Sequence, residues 1–189
     1  MPEHHGLRND VAIFIQGSDA IESGLIVLAA AESLTDEIAA YIMELVGFED
    51  PSSVVEALHF CDFVFERNSE WNLAPDVREY LIGRLRERPE LYRAAHDRLL
   101  AVCRSRELQG RFSELPRYLI EGPGEAYHAS ALSPVEGLPK YAAIALSGHS
   151  GQQWLAARLA REQEAAGILP RGSFEIDFLN GRSVTAREV

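Results

Sequence analysis

The sequence predicts a mainly α-helical protein with one small β-hairpin in its first half. Three observations carry that expectation. Apolar residues recur at three- and four-residue spacing through most of the chain, helix-starting residues stand in front of those runs, and the period drops to two around residues 63–73. With 47% hydrophobic and 25% charged residues in a length of 189, the composition is that of a globular protein with enough chain for a core.

The elements follow in order. Val11, Ala12, Ile13, Phe14 and Ile15 fit either a short strand or the apolar start of a helix. Residues 19–31 are helix formers with Ile21, Leu25, Leu28 and Ala29 at helical spacing. Thr35, Asp36 and Glu37 supply a cap and an acidic first turn, Ile38, Tyr41, Ile42 and Leu45 form one stripe, and Gly47 supplies the stop. Asp50 and Pro51 open a third helix, expected to run to Phe63 with Val54, Val55 and Leu58 on its apolar side. Alternation then takes over: residues 63–67 and 71–73 read as strands joined by a turn at Asn68, Ser69 and Glu70. Pro75 and Asp76 start a helix with Val77, Tyr80, Leu81 and Leu85 on one face, and Pro89 and Glu90 start another carrying Leu91, Tyr92, Ala95, Leu99, Leu100 and Cys103.

Three helices followed by a two-stranded wing is the layout of a winged helix-turn-helix. Leu73, Pro75, Arg78, Glu79, Tyr80 and Leu81 fall into a leucine-x-proline-x-x-arginine-glutamate-tyrosine-leucine pattern, and residues 89–96 continue as a helix. On that pattern, residues 11–103 resemble the winged-helix segment of STAND-class signalling ATPases. The resemblance implies an adaptor, accessory or excised middle segment of a bacterial STAND-type signalling or defence system.

The second half has turn residues at Gly122, Pro123 and Gly124, a helix over residues 125–132, another from Pro134 with Leu138, Tyr141, Ala142 and Leu146, and a third over residues 152–167. Tyr127 with Leu138 and Tyr141 is similar to a tetratricopeptide-type helical hairpin, the kind of repeat that follows the winged helix in STAND proteins. The fold expected is therefore a winged helix-turn-helix with a β-hairpin over residues 8–106 and helical, tetratricopeptide-like hairpins over 107–181, with 182–189 as a flexible tail. Residues 174–179 fit a strand or one more helix.

Charge is uneven. Residues 1–77 hold 15 acids against two bases, residues 78–117 ten arginines against six acids, and the remainder six bases against eight acids, for a net −11. An acidic head and an arginine-rich middle suit protein partners better than nucleic acid. No apolar run reaches the roughly 18 residues of a membrane span, and the polar N-terminus lacks the pattern of a signal peptide, so a cytoplasmic location is expected. Cys61 and Cys103 have no second cysteine at metal-ligand spacing and are expected as core thiols.

The residues give no catalytic, cofactor-binding or metal-binding set. The phosphate loop of a STAND ATPase needs a lysine after its glycines, and the only lysine, Lys140, follows Pro139. His59 and Cys61 are two apart and point to different helix faces, so they cannot pair; His96 and Cys103 are two turns apart. Residues 147–151 miss the nucleophile elbow, because Gln152 stands where glycine is needed. His4 and His5 lack a third ligand, and only a pocket holding His96 or His128 beside a carboxylate would point to an enzyme. DNA binding through the third helix is not expected: Ser52, Ser53, Glu56, His59 and Asp62 offer no cation to a phosphate. The expectation is a non-enzymatic interaction module for a protein partner such as a signalling ATPase or protease effector, with a DNA-binding transcription regulator as the alternative. The candidate partner-binding residues are Trp71, Glu66 and Arg67 at the wing, Arg78, Arg84 and Arg88 in the arginine-rich helix, and Tyr127 and Tyr141 in the helical hairpins.

Overall fold

Helix starts fall where capping residues put them. In the computed structural model, which describes residues 11–12, 14–15, 18–147 and 149–171, α1 (Asp19–Leu28) begins behind Ser18, whose hydroxyl accepts the Ile21 amide. Thr35 does the same for Ile38 at the start of α2 (Asp36–Met43), and Asp50 for Ser53 at the start of α3 (Pro51–Leu58). Each side chain satisfies an amide that the first helical turn leaves open. A 3₁₀ turn, Glu44–Val46, tightens the end of α2, and Gly47 closes it at φ 75°, a left-handed conformation that glycine adopts without a side-chain clash. Val11, Ala12, Phe14 and Ile15 are helical, which decides the alternative left open for that segment.

α3 ends at Leu58, five residues before the expected Phe63, because residues 59–62 turn the chain into the hairpin. β1 (Val64–Arg67) pairs antiparallel with β2 (Glu70–Leu73), Glu66 opposite Trp71. The two-residue loop has Asn68 at φ 53° and Ser69 at φ 64°, the positive values that a tight hairpin loop with the right twist requires. Leu34, between α1 and α2, bridges to Trp71 through a pair of backbone hydrogen bonds of 2.9 and 2.8 Å, so β2 lies between Leu34 and β1. Then come α4 (Pro75–Arg86), α5 (Pro89–Arg104), the short α6 (Arg106–Gln109) and α7 (Arg117–Ile120), α8 (Pro123–Leu132), α9 (Pro134–Leu146) and α10 (Ser150–Ala165). The described chain is thus mainly helical with a small antiparallel hairpin. No helix among the described residues is long and apolar enough to cross a membrane.

The chain divides into two units. The first takes the described residues up to Arg98 together with Gly110–Pro116; the second takes Leu99–Gln109 and the described residues from Arg117. The division therefore falls inside α5, and not at residue 106, with a short segment returning to the first unit. In the first unit α1 packs on α2 and α4, and α2 on α3. Leu25, Leu28, Ile38, Ile42, Leu58, Phe63, Val77 and Leu85 are buried there. Two of its arginines reach back to α1: Arg84 lies 3.1 Å from Glu22, and Arg88 donates to the Ser23 hydroxyl at 2.8 Å.

In the second unit α8, α9 and α10 pack on one another around Tyr127, Tyr141, Ile144, Leu159 and Ala160. Gly137 allows α9 to press its backbone onto α8, since a Cβ there would fall on the backbone of Ser130. Gln163 is the polar centre of this core. Its Oε1 accepts from the Ser130 hydroxyl at 2.5 Å and the Tyr141 hydroxyl at 3.0 Å, and its Nε2 donates to the Tyr127 carbonyl at 2.7 Å. A buried amide so engaged fixes the register of three helices, because any slip breaks several bonds at once.

Candidate functional site

The residues that open a helix and turn a hairpin in the first unit also build a groove of about 410 Å³. The first turn of α2 supplies Asp36 and Glu37, the end of α3 supplies His59, the hairpin supplies Glu66, Ser69, Glu70 and Trp71, and the returning segment supplies Ser113 and Glu114. Capping chemistry explains the acids on α2: carboxylates are favoured in a first turn, where helical amides point outward. Strand alternation explains the hairpin, since Glu66 and Trp71 are directly opposite each other.

His59 is the centre of the groove. Its Nδ1 lies 2.5 Å from Glu66 Oε1 and its Nε2 2.9 Å from Asp36 Oδ1. The same Asp36 oxygen accepts the Trp71 indole N–H at 2.9 Å, and the imidazole meets the indole edge to face at 5.6 Å. Partial burial is the largest single influence on the ring and works against its charge. The hydrogen bonds and charges of Asp36, then Glu66, together outweigh it and raise the pKa above 6.5. Beside it the Ser113 hydroxyl and amide donate to Glu37 at 2.7 and 2.6 Å and hold that carboxyl below its ordinary value.

A second groove of about 420 Å³ shares Asp36 and Glu37 and adds Glu44 and Glu56 around Tyr41, Val55 and Phe112, with Arg111 at its side. Together the two make one acidic face. Among the described residues no group of histidines, cysteines and carboxylates has the arrangement to hold a metal ion.

Of the candidate partner-binding residues, only Glu66 and Trp71 meet in this site. Arg67 is exposed at the end of β1. Trp71 is 2% exposed, so it anchors the hairpin to the core and offers no surface to a partner. Arg78 is also inside, its Nε donating to the Ala31 carbonyl at 2.9 Å. Arg84 and Arg88 are turned to Glu22 and Ser23. Tyr127 and Tyr141 are core residues of the second unit, so partner binding by their rings is corrected to packing. The exposed large apolar side chains there are Ile120, Val135, Leu146 and Trp154.

The other reactive groups fit packing roles. His96 is fully buried against Tyr92, and burial, with Arg78 and Arg86 nearby, drives its pKa down to about 3, so it stays neutral. His128 is buried with its Nε2 3.3 Å from the Tyr118 hydroxyl. Burial, then the Glu125 charge, pushes the Cys103 thiol up to about 12, far from the thiolate a nucleophile needs. Ser147 caps α9 and precedes α10, as a turn would. His4, His5 and residues 174–189 lie outside the described residues. The His59 group is not legible in the sequence, because Asp36, His59 and Glu66 are brought together by the hairpin and share no motif spacing.

No protein-family model matches the chain, and no curated protein or solved structure does either.

Proposed function

We propose that the chain is a non-enzymatic interaction module, an adaptor or accessory of a STAND-type signalling or defence system, whose first unit receives a lysine- or arginine-rich segment of a protein partner. The observation that carries this reading is the acidic face. Asp36, Glu37, Glu66, Glu70 and Glu114 line one groove into which no lysine or arginine of the described residues projects. A cationic segment laid there would complement the field, and like-charged partners would be excluded. The winged-helix reading draws support from the order of three helices and a hairpin, and from the pattern that runs from Leu73 to Leu81.

The same face counts against the regulator alternative. On α3 the outward residues are Ser52, Ser53, Glu56 and Ala57, which give a DNA backbone nothing to pair with.

The test compares the chain with a Glu37→Gln/Glu70→Gln/Glu114→Gln variant, which leaves the partners of His59 in place. Each is titrated with a nona-arginine peptide and with duplex DNA, and each is used to capture proteins from a nuclease-treated lysate. The expected result is salt-sensitive peptide binding that weakens at least tenfold in the variant, with a discrete protein captured by the parent chain only. Retention of DNA without peptide binding would overturn the reading and favour a DNA-binding regulator.

A further inference from the structure

We infer that His59 is a proton-operated clasp, holding the hairpin to the first turn of α2 when charged and letting one side go when neutral. The geometry is the argument. Both ring nitrogens face carboxylate oxygens, Nδ1 at 2.5 Å from Glu66 on β1 and Nε2 at 2.9 Å from Asp36 on α2. A neutral imidazole has a single N–H, so one of these approaches would set a ring lone pair against a carboxylate oxygen. Only imidazolium donates to both. His59 is itself the C-cap of α3, so the proton ties together α2, α3 and β1.

Among the described residues, every charged group that lines the groove around the ring favours that proton. Asp36 and Glu37 come from α2, Glu66 from β1, Glu70 from β2 and Glu114 from the returning segment; the uncharged polar side chains of the lining are the hydroxyls of Thr35, Ser69 and Ser113 and the indole N–H of Trp71. The raised pKa of the ring agrees with this setting. As the pH rises through that pKa, the ring releases its proton to water, one of the two contacts loses its donor, and the groove loses one positive charge. The event is passed to β2, because Trp71 shares the Asp36 oxygen with His59 and touches its ring edge to face. None of this requires a partner, so it stands or falls apart from the proposed function.

The experiment uses a Trp154→Phe background, in which Trp71 is the one remaining tryptophan. Its fluorescence and indole N–H resonance are followed over roughly pH 5 to 9, the span in which a histidine changes charge, with the His59 ring resonances recorded alongside. The expected result is one shared midpoint above 6.5, lowered by Asp36→Asn and by Glu66→Gln, with the Trp71 response abolished in His59→Gln. A His59 midpoint at or below 6.5 would overturn the inference, as would a Trp71 titration that survives in His59→Gln. Should His59→Gln fail to fold, Glu66→Gln decides alone: an unshifted midpoint rejects the clasp.

Discussion

At the scale of single residues, burial separates what a side chain is from what it does. Tyr127 and Tyr141 sit on apolar stripes that the sequence displays, and they were expected at a partner surface. Periodicity identifies the apolar face of a helix but does not say whether its cover comes from the same chain. Here the cover is internal, and Gln163, a residue with no signal in the pattern, holds the arrangement. Gln163→Leu keeps the volume but removes three hydrogen bonds, each worth about 1 kcal/mol net, so a loss of about 3 kcal/mol is expected. Urea unfolding followed by Trp154 fluorescence measures it; a variant within about 0.5 kcal/mol of the parent would deny Gln163 that role.

At the scale of elements, the helix starts were legible because they are chemical. Ser18, Thr35 and Asp50 accept amides, and Pro51, Pro75, Pro89 and Pro134 each open a helix where the missing N–H does no harm. Ends were less legible. α3 stops at Leu58 although apolar residues continue to Phe63, because the hairpin claims Phe63, and the amide of Ala74 donates to its carbonyl. The four-residue helices at Arg106–Gln109 and Arg117–Ile120 are too short to display a period at all. Packing between elements was invisible in the sequence, and Gly137 is the clearest instance. Gly137→Ala would drive a methyl into the backbone of α8, where no flexible end can yield. Overpacking of that kind costs about 3 kcal/mol, despite the better helix propensity of alanine. A thermal melt settles it: an unchanged or higher midpoint would mean that α8 and α9 can separate at little cost.

At the scale of the whole molecule, the charge blocks read from the sequence are real, but much of the arginine block is spent internally. Arg84 and Arg98 reach Glu22 and Glu44 in the first unit, and Arg104 reaches Glu125 and Glu136 in the second. The acidic face remains open, and the two described histidines of the first unit, His59 and His96, shape how stability depends on pH. His96 has a folded pKa of about 3 against 6.5 when unfolded, so its contribution is complete above 6.5 and is lost as the pH falls from there toward 3. At 1.36 kcal/mol for each unit of pKa, that loss is on the order of 5 kcal/mol when complete. His59 acts in the opposite sense. Its folded pKa is raised, so its contribution is complete below 6.5 and disappears as the pH rises through the folded value. Stability should therefore peak near pH 6.5, with the acid side steepened further by Glu37, Asp50 and Glu125, whose pKa values are lowered. Denaturation midpoints across pH test this: His96→Gln should flatten the acid limb and His59→Gln the alkaline limb; a parent profile that climbs steadily from acid to alkali would contradict the His59 assignment, and one with no loss on acidifying from pH 6.5 would contradict that of His96.

The bridge between Leu34 and Trp71 also decides how the protein behaves in a crowd of its own copies. By placing β2 in the middle, it leaves β1 with the only outward strand edge among the described residues, and that strand is four residues long. Glu66 and Arg67 stand on it. An open edge is a template for sheet growth, and shortness and charge are what blunt it. The consequence is colloidal: a chain whose hairpin is tied down on its apolar side turns toward its neighbours only the strand least able to recruit them.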